Sequence, residues 1–255
     1  RSRGLGDVYK RQDIPQAQAT TQPVIYQSHN LFNPYLGYGT FVMPAIIMVI
    51  IQQTLLIGIG MIGGTWREFG LYRKLCPPDR KRMSTLPIVL GKATVYGLIY
   101  AVTTFYILGL HYRLFHYPMN GATGTVVVFM LAYLAACIFL GIAISTLFRY
   151  RENSLLLLLW TSIPLLMLSG VSYPREGIPD WLFNFGQLFP SSHGVDGFIR
   201  IQSMGASLGE VLPEIRMLCI LTLIYGGLAC IGIHQVIGRE QRERLAQRMN
   251  DKEEY

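Results

Sequence analysis

Five continuous apolar runs, residues 40–64, 86–110, 126–148, 154–171 and 215–237, leave this chain one class of structure. About 20 residues of helix cross the roughly 30 Å of a bilayer's hydrocarbon, and each run is near or above that length. In lipid, only a helix or a closed barrel satisfies every backbone N–H and C=O. Barrel strands would alternate apolar and polar residues, and these runs do not. The reading is an all-α membrane protein with five transmembrane helices. Charged residues make up 15% of the chain, against about 25% in a soluble domain, and the links between runs leave no room for a soluble domain of any size.

Basic residues set the expected orientation. Arg67, Arg73, Lys74, Arg80, Lys81, Arg82, Lys92, Arg149, Arg151, Arg239, Arg242, Arg244, Arg248 and Lys252 fall on one side of the five spans. The other side, past the first dozen residues, holds Arg113, Arg175, Arg200 and Arg216. Positive residues favour the cytoplasm, so the 65–85 loop, the 149–153 link and the 239–255 tail are expected there. The net charge of +7 thus sits at membrane edges, where anionic headgroups attract it. No basic face interleaved with aromatics suggests a nucleic-acid partner.

Between residues 169 and 200 the chain stays apolar and aromatic without forming a clean span. Pro174, Gly177, Pro179, Gly186, Pro190 and Gly194 interrupt it. Broken backbone at membrane depth is tolerated where protein or water satisfies it, so an outward-facing re-entrant helical hairpin is expected, a shape suited to transport. Residues 1–12, RSRGLGDVYKRQ, have no apolar core after their basic residues and are not a signal peptide. They resemble a non-native leader, with 13–39 as the remnant of an external domain and 40–238 as the transmembrane domain. A start outside the membrane, with no preceding span, suggests that an upstream span is missing.

Chemistry is sparse. Gly91-Lys92 lacks the upstream glycine and the following Ser or Thr of a phosphate-cradling loop. Cys76, Cys137, Cys219 and Cys230 have no metal-like spacing, and His111 and His116, five apart, would not share a helical face. No metal site is expected. Ser191, Ser192, His193 and Asp196 lie close together, but triads are assembled from residues distant in sequence, so turn chemistry is the simpler reading. Within the spans full charges are nearly absent, whereas ion-driven carriers usually keep a buried Asp, Glu or Arg on their path. The spans offer Gln52, Gln53, Thr54, Ser145, Thr146, Thr161 and Ser162, either as interhelical hydrogen bonds or as a mildly polar pore lining. Gly60 and Gly64 form a small-xxx-small pair suited to close helix contact, and Pro164 is expected to kink the fourth run. With no ATP or ion site, energy should come from a partner. The 65–85 loop is the natural docking point: as a helix, Trp66, Phe69 and Tyr72 would share an apolar face, with Arg67, Glu68, Arg73 and Lys74 opposite, stopped by Pro77-Pro78.

An ordered set of short motifs now carries a resemblance. Phe32-Asn33-Pro34 precedes the first run, Arg67-Glu68 follows it, and Leu90-Gly91-Lys92 opens the second. Leu147 and Arg149 follow the third. Ser169-Gly170, Tyr173-Pro174, Ile178-Pro179, Trp181-Leu182 and Phe189-Pro190 complete the set. From about Leu31 to Arg239 the chain resembles an ABC-2 type transporter permease, and its 190–206 segment is similar to permeases encoded beside periplasmic adaptor proteins. The resemblance implies six spans, of which the first would be missing here. The resemblance implies a permease subunit of an exporter in the bacterial inner membrane, not itself an enzyme. A separate ATPase subunit would bind ATP and Mg, a second permease copy or paralogue would complete a dimer, and the lipid bilayer and an adaptor protein would be further partners. It implies ATPase coupling through Trp66, Arg67, Glu68, Arg73, Lys74 and Arg80. It also implies an outer gate at Tyr173, Pro174, Pro179, Trp181, Pro190, His193 and Arg200, and a pore lined by Gln52, Gln53, Thr54, Thr161 and Ser162. Two other classes stay open: a lipid-modifying transferase using the Ser191–Asp196 cluster, and a non-transporting envelope scaffold.

Overall fold

A computed structural model describes residues 38–72, 85–117, 119–170 and 177–253. The leader, the 13–37 segment, Arg73, Lys74, Arg80, Tyr173 and Pro174 lie outside the described residues. Among the described residues every regular element is a helix: α1 (Tyr38–Glu68), α2 (Leu86–Phe105), α3 (Thr123–Ser145), α4 (Arg151–Leu168), α5 (Asp180–Gly186), α6 (Pro190–Met204) and α7 (Leu212–Glu253). A π-helical turn, Tyr106–His111, and a short α-helical turn, Tyr112–Leu114, prolong α2.

Four stretches are long and apolar enough to cross a membrane: Val42–Glu68, Leu86–Leu114, Thr123–Ser145 and Leu212–Glu243. The fourth sequence run, now α4, is not among them. Its first turn is Arg151-Glu152-Asn153-Ser154, and Ser169 and Gly170, the latter at φ 79°, close its far end. The apolar stretch between, 155–168, is about 21 Å of helix at 1.5 Å per residue, short of the roughly 30 Å hydrocarbon layer. The helix runs on through Pro164. Just before it, the Thr161 and Ser162 hydroxyls donate to the carbonyls of Leu158 and Leu159 at 2.9 and 2.7 Å.

The helices stack in the order α4, α1, α3, α7, with α2 against α3 and the edge of α7. α1 and α3 are central, with 56% of each span buried, against 6% for α2. Glycines set the close approaches. A Cβ on Gly60 would lie 2.0 Å from Ser154 Oγ, and one on Gly64 2.8 Å from the Arg151 backbone, so this pair is what lets α4 lie directly on α1. On the other side of the core, a Cβ on Gly232 would lie 2.4 Å from Thr146 Oγ1, bringing α7 against the end of α3.

α6 is short yet buried on nearly every side, wedged among α1, α3 and α7. Pro190 opens it, where a missing N–H costs nothing. Gly205, at φ 68°, ends it, with Gly205 and Ala206 N–H bonding back to Ile201 and Arg200 carbonyls at 3.1 Å each. Its Gly194 and Gly197 lie on the rings of Tyr133 and Phe129, where a Cβ would come within 2.3 and 2.4 Å.

Candidate functional site

One end of the bundle brings together Arg67, Lys92, Arg149 and Arg239. α1 carries Trp66, Arg67 and Glu68 in its last turn, and Gly70, at φ 59°, reverses the chain immediately afterwards. The three-residue aromatic spacing therefore does not become one helical face. Phe69 is 66% exposed, whereas Tyr72 folds back and is buried. Tyr72 meets Trp66 edge-on, with ring centroids 5.5 Å apart. Burial pushes its phenol above the usual range, and the negative charge of Glu240 adds to this.

Two basic side chains fasten this end. Arg67 Nη1 donates to Thr146 O at 2.8 Å and Phe148 O at 3.4 Å. These carbonyls lie just past the C-terminus of α3, where a cation is favoured, so Arg67 links α1 to the α3–α4 turn. Lys92, in the second turn of α2, donates from Nζ to Tyr72 Oη at 2.8 Å. The same ammonium lies 4.6 Å from the Trp66 ring centroid and 4.4 Å from that of Tyr72, within cation–π range.

Beside these contacts opens a cavity of about 440 Å³. Its walls come from three separated segments: Arg67, Glu68 and Phe69 at the end of α1, Arg149 and Tyr150 in the α3–α4 turn, and Arg239, Glu240 and Glu243 on α7. The lining is of mixed charge, with arginines from all three segments and glutamates from α1 and α7, which suits a protein surface of mixed charge better than an apolar ligand. Of the coupling residues expected from the sequence, Arg67 and Glu68 line this cavity, and Trp66 packs against Tyr72. Arg149, Arg239, Glu240 and Glu243 join Arg67 and Glu68 through tertiary packing that spacing along the chain could not reveal. Lys92 had a readable signal, as a full charge inside an apolar run.

The opposite end holds α5 and α6. Ser191 accepts a bond from Gln52 Nε2 at 3.2 Å, Ser192 donates to Gly186 O at 2.7 Å, and His193 Nε2 pairs with Gln187 O at 3.1 Å. The hydroxyls and the imidazole thus go to separate partners, and no Ser–His relay of a hydrolase is shown. Tyr225 Oη donates to Leu188 O, and Tyr112 Oη to Gln202 Oε1 at 3.1 Å. Arg200 pairs with Glu214 at the start of α7. Pro190 is buried, while Pro179 and Trp181 of the α5 region are exposed. Gln52 is fully buried in this network, where Cys137 also meets its Oε1. Gln53 is buried with neither amide atom bonded, and Thr54 is exposed and bonded back to Ile50 O at 2.8 Å. Among the described residues no cluster of His, Cys, Asp and Glu could hold a metal ion.

A family model described as ABC-2 family transporter protein matches residues 5–231. The "Probable multidrug ABC transporter permease YbhR" of Escherichia coli (strain K12) is 26% identical over 200 residues, covering 78% of this chain and 54% of that protein. The "Inner membrane transport permease YhhJ" of the same strain is 26% identical over 230 residues, covering 88% of this chain and 60% of that protein. The chain thus spans a little over half the length of these curated relatives. No solved structure matches it.

Proposed function

The chain belongs to the ABC-2 family of transporter proteins, and from that premise we propose that it forms the membrane-spanning part of an ATP-driven exporter of the bacterial inner membrane. The observation that carries this is the mixed-charge cavity at the basic end, built by three segments that meet only in the folded bundle. The positive-inside bias puts that end, and the C-terminus, in the cytoplasm. An ATPase subunit carrying ATP and Mg then docks there, against Trp66, Arg67 and Glu68 and the loop bearing Arg73, Lys74 and Arg80. Arg67 transmits its movement, because the α3–α4 turn hangs on its guanidinium.

α4 serves as a fifth, short span, and α5 with α6 as a re-entrant hairpin facing outward. Tyr173, Pro174, Pro179, Trp181, Pro190, His193 and Arg200 belong to this outer gate, and Gln52 ties the gate to α1 through Ser191. Gln53, Thr54, Thr161 and Ser162 mark the path side of α1 and α4. A second permease copy completes the pore, and a periplasmic adaptor extends it. The name of the YbhR relative, a probable multidrug permease, suggests drugs as cargo. Co-purification of the full-length protein with an ATPase subunit, and ATP hydrolysis that depends on the pair, tests the reading. A stable permease that recruits no ATPase would overturn it.

A further inference from the structure

A lysine two turns into an apolar span is costly unless something receives its charge. Lys92 meets that cost in a specific way. Its ammonium donates to Tyr72 Oη at 2.8 Å and lies over both the Trp66 and Tyr72 rings. Neither ring belongs to α2. Trp66 is in the last turn of α1, and Tyr72 reaches the ammonium because Gly70 turns the chain back. Elsewhere α1 and α2 scarcely touch, since α2 packs mainly on α3 and its span is 6% buried. One cation therefore supplies a principal link between the end of α1 and the start of α2.

We propose that Lys92 is a positioning residue that clasps the Trp66–Tyr72 segment to α2, so that displacement of this segment by a partner is passed to α2 as a movement of the whole helix. The proposal rests on the reading of the basic end as the ATPase contact. The aromatic clasp suits the task. Two rings and one hydroxyl receive the ammonium without a second buried charge, whereas a paired carboxylate would add its own desolvation cost. Arginine can make the same contact, and methionine has similar length without the charge.

The test uses the full-length protein with its ATPase. In Lys92→Met, substrate exported per ATP hydrolysed should fall about tenfold, a typical coupling energy, while ATPase binding persists; Lys92→Arg should restore it. A second measurement needs no ATPase. Spin labels at Phe69 and Leu90, both exposed, should give one narrow distance in the parent and in Lys92→Arg, and a broad one in Lys92→Met. An unchanged distance distribution in Lys92→Met overturns the clasp. So does an unchanged export-to-hydrolysis ratio in a parent that couples normally. A parent that neither binds an ATPase nor shows stimulated hydrolysis refutes the docking reading instead, and the label distances then decide the clasp by themselves.

Discussion

Replacing Gly194 by alanine should destabilise the bundle, against the intrinsic preference of a helix. In isolation the change favours a helix interior by about 0.5–1 kcal/mol. Here the new Cβ would lie 2.3 Å from Tyr133 Cε2 and 2.6 Å from Cδ2. Carbon atoms rest at about 3.5–4.0 Å, so the ring or α6 must give by more than about 1 Å. The ring cannot turn away freely, because Tyr133 is fully buried and its hydroxyl donates to Met48 O at 2.6 Å. Overpacking of this kind costs about 1–3 kcal/mol, and loss of the hydroxyl bond about 1 more. Less the helix preference, the net cost is about 1–3.5 kcal/mol, and at about 2–4 °C per kcal/mol for a chain of this size the melting temperature of the detergent-solubilised protein should drop by about 2–14 °C. Tyr133→Leu makes room, so Gly194→Ala with Tyr133→Leu should cost less than the sum of the two single changes. A melting temperature unchanged to within about 1 °C, or strict additivity in the cycle, would refute the packing argument.

Three further outcomes follow from particular contacts. Arg67→Met removes a charged donor from two carbonyls and should cost about 1–2 kcal/mol in the same melt, with Arg67→Lys intermediate because it offers a single point donor. Glu68 is exposed, so Glu68→Lys should leave the melt unchanged while uncoupling ATP hydrolysis from export; unaltered export and substrate-stimulated hydrolysis would rule the role out. Ser207 donates from its backbone N–H and its hydroxyl to Glu210 Oε2 at 2.7 and 2.8 Å, and these bonds hold that carboxyl below the usual 4.5. A depressed folded pKa stabilises above the unfolded value and is lost as pH falls through the folded one. The small stability advantage of the parent over Glu210→Gln should therefore be complete near neutrality and shrink on acidification below about pH 4.5.

Much of the architecture was legible because lipid leaves so few options. Run length and continuity identified α1, α2, α3 and α7 as candidate spans, and Gly60 and Gly64 were readable as a helix contact because their spacing matches one face. The aromatic spacing of Trp66, Phe69 and Tyr72 misled, since helical periodicity holds only while the helix lasts and Gly70 ends it. The run at 154–171 also read as longer than the apolar part of α4, whose polar first turn and glycine stop trim it at both ends. Gln52 illustrates the remaining difficulty. Its position within a span was plain, but whether its amide faced a path or a neighbour depended on α6, more than a hundred residues away.

The sequence by itself determined that this chain lives in a membrane as helices, which end of the bundle is basic, and the family to which its ordered motifs point. Those properties are local: they follow from the free energy of each segment in lipid and from charges counted along the chain. Tertiary structure alone decided that Arg67 seats on the end of α3, that Lys92 closes on Trp66 and Tyr72, and that Arg149, Arg239 and Glu240 share a cavity with Glu68. The first and third depend on glycine-permitted approaches between helices distant in sequence, and the second on the turn that Gly70 makes. A contact of that kind leaves no periodicity in the chain, because its two halves are brought together by packing.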